Sequence, residues 1–216
     1  DQAKLSYDTG AAALTSADAL LKDEDYEKAL PGYQTAAINL GNALIAISKE
    51  NAEKAKASAS AAGGDKAPSF AEADARMKTA AESAAAKQMH GAIDNYDASK
   101  TAFDDLAKAL TALAAAEKNA AAKRETVNRI GAGDSPDVAK ASGLMTDAKA
   151  KAEQWQMPAA TSGYGDAAKL FDALIADVMA AKDEATALKQ KVTDLSASIA
   201  TRAGAAEPTL AALAPK

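Results

Sequence analysis

Apolar and small residues recur along this chain at one set of intervals, and the set is written three times. The first copy runs Tyr7, Leu14, Ala17, Leu21, Tyr26, Ala29, Tyr33, Ala36, Leu40, Ala43 and Ile47. Adding 63 to each number gives Phe70, Met77, Ala80, Ala84, Met89, Ala92, Tyr96, Ser99, Phe103, Leu106 and Leu110. Adding 131 gives Val138, Met145, Ala148, Ala152, Met157, Ala160, Tyr164, Ala167, Phe171, Leu174 and Val178. Constant spacing over so many positions marks an internal repeat of helical units. In the later part of each copy the intervals alternate four and three, as in Ala29, Tyr33, Ala36, Leu40, Ala43 and Ile47. That is the heptad seam of helices packed nearly parallel.

Breaks in the seam predict a shorter helix, a tight turn and a longer helix in every copy: 2–22 with 25–62, 69–87 with 89–130, and 136–155 with 158–203. The first turn, Lys22-Asp23-Glu24-Asp25, offers carboxylates to the amino end of the following helix. Pro31 predicts a kink or a later start about two turns on. Gly63-Gly64 and Gly131-Ala132-Gly133 end the first two long helices, with Ser69 and Ser135 as candidate caps for the next. The repeats therefore occupy 1–68, 69–136 and 137–204, with 205–216 as a tail or a single helical turn around Leu210–Leu213.

A short helix covers only half of its longer partner. The far half of each long helix then needs the following short helix folded back along it. Fold class follows: all-α, three tandem hairpins in an elongated, staggered array of three-helix layers, one continuous domain. A single compact up-down bundle uses the same pattern.

Composition adjusts this picture. Of 216 residues 48% are apolar, but alanine supplies more than half of that share and aromatics only 4%. Alanine favours helix and lets helices approach closely, so thin bundles are expected. The 25 basic and 30 acidic residues are spread evenly, leaving −5 and no basic block for nucleic acid or anionic membrane. Cysteine is absent, which excludes disulfides, thiol nucleophiles and zinc–thiolate sites. No apolar run is long enough to span a bilayer. The chain starts at Asp1 rather than Met; a removed leader or lipid anchor upstream, and a periplasmic or envelope location, are the expectations, with a trimmed cytoplasmic protein as the alternative.

Residues Asp25 to Ala36 resemble the second-helix half of a tetratricopeptide repeat. That family places a small residue on its first helix, then an alanine, an aromatic four residues on and a small residue three beyond. Ala17, Ala29, Tyr33 and Ala36 fit, as do Ala80, Ala92, Tyr96 and Ser99, and Ala148, Ala160, Tyr164 and Ala167. The family period is about 34, whereas here it is 63 and then 68, and Gly41, Asp104 and Asp172 stand where the family sets its closing proline. The resemblance covers about twenty-five residues per copy and implies tetratricopeptide-like hairpins with overlong second helices.

Chemistry is sparse. His90 is the single histidine and lies at a turn; proton transfer would need a positioned partner and a metal further ligands. Asp23-Glu24-Asp25 lacks the spacing of a calcium loop. No phosphate-binding glycine loop or nucleophile elbow occurs. The expectation is no enzyme, no cofactor and no metal. Trp155, Met157 and Tyr164 are the candidate partner-binding residues, since the third hairpin tip carries Trp155-Gln156-Met157-Pro158 where the first two have Glu24 and Lys87. A local plug over the hairpin end is the structural alternative. These features point to a scaffold or spacer that binds protein partners in the bacterial envelope. The alternative is a carrier of an apolar or lipid ligand in a cavity near Leu40, Phe103 and Phe171.

Overall fold

The computed structural model describes residues 2–212, with side chains described from 2 to 202. They form six helices: α1 (Gln2–Lys22), α2 (Tyr26–Ala61), α3 (Pro68–Ala85), α4 (Met89–Arg129), α5 (Pro136–Glu153) and α6 (Met157–Ala212). A short 3-10 turn covers Gly64–Lys66, and no strand occurs among the described residues. The chain is all-α. Helices of 21, 18 and 18 residues alternate with helices of 36, 41 and 56.

All three hairpins turn in one way. Glu24, Lys87 and Trp155, related by the repeat offsets, take φ of 60°, 60° and 59°. After each, an N–H reaches back five residues: Asp25 to the Leu20 carbonyl at 2.9 Å, Gln88 to Ser83 at 2.8 Å and Gln156 to Lys151 at 2.9 Å. This is the Schellman closure, in which a left-handed residue satisfies carbonyls that a helix end leaves open. Asp25 then caps α2, accepting from the Lys28 N–H at 3.4 Å. Ser135 caps α5 through the Asp137 N–H at 3.3 Å.

Three local expectations are corrected. Pro31 neither delays nor divides α2, which runs unbroken from Tyr26. Ser69 is not a cap: Pro68 takes the first helical position, where its missing N–H costs nothing, and Ala67 precedes it without a side-chain cap. The stretch given to a tail is helix as far as Ala212, and the rest of it lies outside the described residues.

Two compact units are present, residues 1–115 with 151–158, and 116–150 with 159–216. In the first, α1 and α2 form a hairpin, and the distal half of α2 lies on α3 and the start of α4. Ala52 packs with Ala80 and Tyr96, while Ala55 and Ala59 join Ala73, Phe103 and Leu106. Phe70 meets Phe103 edge-on, with centroids 5.0 Å apart, a geometry that adds about 1 kcal/mol to area burial. Lys56 of α2 pairs with Asp74 of α3. In the second unit Val127 of α4, Val138 and Ala141 of α5, and Ala167 and Phe171 of α6 share one cluster. There Lys123 pairs with Asp172. Each unit thus contains the staggered layer expected from the length mismatch: a distal long helix, the next short helix and the start of the next long helix.

Candidate interaction surface

The structure separates the three residues singled out at the third hairpin. Met157 and Tyr164 are buried within the chain and offer no surface to a partner. Trp155 is half-buried and packs against the cluster that contains Phe103 and Leu106. The matching turn residues Glu24 and Lys87 are exposed.

The tyrosine series is not uniform. Tyr96 and Tyr164 are buried, whereas Tyr33 is half-exposed and its hydroxyl donates to Asp18 at 2.6 Å. That bond to a carboxylate, then burial, raises the Tyr33 phenol above its ordinary range. The difference comes from what lies outside each hairpin. The distal half of α2 covers α3–α4, and the distal half of α4 covers α5–α6. Among the described residues no helix covers α1–α2 in this way.

Much of its seam is bare as a result. Tyr7, Leu14, Tyr26 and Leu30 are exposed, Tyr26 by 63%, whereas their counterparts Phe70, Met77, Met89 and Ile93 are half-buried. Leu21, Tyr26, Ala29, Leu30 and Tyr33 frame an apolar depression of about 300 Å³. The second bare stripe is on α6, where Leu188, Val192, Leu195 and Ile199 are exposed. Its four-three spacing is legible in the sequence. Its exposure is not, because spacing does not reveal whether a partner helix exists.

Leu40, Phe103 and Phe171 pack in different surroundings. Leu40 sits against Gly10, where a Cβ would come within 2.9 Å of the leucine Cγ. The two phenylalanines are buried in separate clusters. His90 is exposed at the start of α4. Among the described residues no group of three His, Asp or Glu could hold a metal, and no helix is long and apolar enough to cross a membrane. Paired carboxylates are helix-surface groups: Lys28 and Lys54 hydrogen-bond Asp25 and Glu50 and hold both acids below their ordinary range.

No family model, curated protein or solved structure matches the chain significantly.

Proposed function

We propose that this chain is a non-enzymatic helical-repeat scaffold that binds protein partners in the bacterial cell envelope. The carrying observation is the uncovered seam of α1–α2, a contiguous run of Tyr7, Leu14, Leu21, Tyr26 and Leu30 on one hairpin. Exposed apolar area gathered in this way marks an interaction site, whereas scattered single residues do not. Tyrosine and leucine on a rigid hairpin suit protein contact, because they bring large area at little entropic cost.

The hairpins are tetratricopeptide-like in this reading. Ala17, Ala80 and Ala148 are each fully buried where the paired helices cross, the role that family gives its small residue. Its regular peptide-holding groove is not part of the proposal.

A photo-crosslinking residue at Tyr26 or Leu30, introduced in the source organism, tests the scaffold reading. Discrete protein adducts from those positions, and none from exposed Glu82, are expected. Equal labelling at all three would overturn it. Fractionation of the same cells, with the mass of the mature amino terminus, tests the envelope location and an anchor upstream of Asp1.

A further inference from the structure

By the repeat offsets, the bare seam of α1–α2 and the bare distal stripe of α6 correspond to the two sides of the contact that α4 makes with α5–α6. Building on the scaffold reading, we propose that the distal half of α6 from a second copy docks on the α1–α2 hairpin, joining copies head to tail.

The internal contacts supply the template. On the donor side, Ala120 and Val127 of α4 are fully buried. Their counterparts 68 positions on, Leu188 and Leu195, are 60% and 62% exposed. Larger apolar side chains therefore stand on α6 where α4 has residues that are covered. On the receiving side, Val127 packs with Val138 and with Met145. The repeat offset carries those two positions to Tyr7 and Leu14, both exposed. Leu195 of one copy should then meet Tyr7 and Leu14 of the next.

Charge agrees. From Leu188 to Ile199 the α6 stripe spans 12 residues, about three helical turns. Residues 179–202 carry four basic and three acidic groups, a net of +1, whereas 2–30 carry three lysines against six carboxylates, a net of −3. Opposite signs at two apolar faces favour this pairing over α6 with α6, or hairpin with hairpin. Donor and acceptor faces differ, so the contact is heterologous, and each added copy leaves one of each face free.

Sedimentation of the purified chain between about 1 µM and about 500 µM tests the proposal. The average mass is expected to rise with concentration. The donor variant Leu188→Asp/Leu195→Asp and the acceptor variant Leu14→Asp/Leu30→Asp should each weaken association at least about tenfold. Mixed in equal amounts, they should recover a one-to-one complex, because the intact α6 of the second meets the intact hairpin of the first. Circular dichroism checks that the helices remain. Leu188→Gln/Leu195→Gln repeats the donor test if aspartate disturbs α6. A wild type that stays monomeric throughout, or a mixture that recovers nothing, overturns the head-to-tail contact. A monomeric wild type with discrete Tyr26 adducts to another protein would sink the second copy and leave the scaffold reading standing.

Discussion

Gly32 lies so close to Ala17 that a Cβ built on the glycine would come within 2.9 Å of the alanine Cβ. Gly163 stands in the same relation to Ala148, at 3.0 Å. These pairs set how near the two helices of a hairpin can come. Gly143 and Gly165 are helical glycines with open space around them.

Alanine at the four positions should therefore act in opposite directions. Gly143→Ala and Gly165→Ala are expected to stabilise by about 0.5–1 kcal/mol, through helix propensity and a less flexible unfolded chain. Gly32→Ala and Gly163→Ala gain the same backbone term but push the helices apart, so a net loss of about 1–2 kcal/mol is expected from overpacking. Urea midpoints of the four variants decide the matter.

The left-handed turn residues give a second series. A side chain in that conformation costs about 1–2 kcal/mol that glycine avoids. At exposed Glu24 and Lys87, substitution by glycine should raise stability by about 1 kcal/mol. Trp155→Gly has the same backbone gain but loses the packing against the cluster that contains Phe103 and Leu106, so a net loss of about 1–2 kcal/mol is expected. Thermal melts of the three variants should show two rises and one fall.

Tyrosine truncation should follow burial. Tyr96→Ala and Tyr164→Ala are expected to cost about 3 kcal/mol each, as for other large buried rings. Tyr33→Ala should cost about half as much or less, because one side of its ring already meets water. Equal losses at all three would mean that the first hairpin is covered in solution.

Position along the chain could be read from the sequence, and exposure could not. The offsets of 63 and 131 align Glu24, Lys87 and Trp155, and the backbone repeats there within a degree. Local rules also placed Ser135 correctly. They failed at Ser69 because Pro68 already supplies a better first residue. Tyr33 has the same local pattern as Tyr96 and Tyr164. Its exposure depends on which helix packs over the hairpin, a relation that no window around residue 33 contains. The same blindness hid the bare faces of α1–α2 and α6.

Asp74 predicts the acid response of the α2–α3 contact. The Lys56 hydrogen bond, against some burial cost and with further help from the charges of Lys56 and Lys78, lowers its pKa below 3.8. A carboxyl depressed by folding stabilises fully above its unfolded value. That support is lost as the pH falls through the lower folded value. Wild type should therefore lose stability below about pH 4, and Asp74→Asn should show a shallower fall on a lower plateau. Urea midpoints measured against pH give both slopes.

The bare half of α6 also bears on how firmly the chain is held along its length. Amide hydrogens in the clusters around Phe103 and Phe171 exchange only when packing opens. Those between about 185 and 200 are guarded by intrahelical bonds alone, and an isolated stretch of about 15 residues is marginal in water. Deuterium should therefore enter the end of α6 early, while the midpoint of α4 still excludes it. A partner that covers the stripe must supply the ordering, and would announce itself as slowed exchange there before any change appears elsewhere.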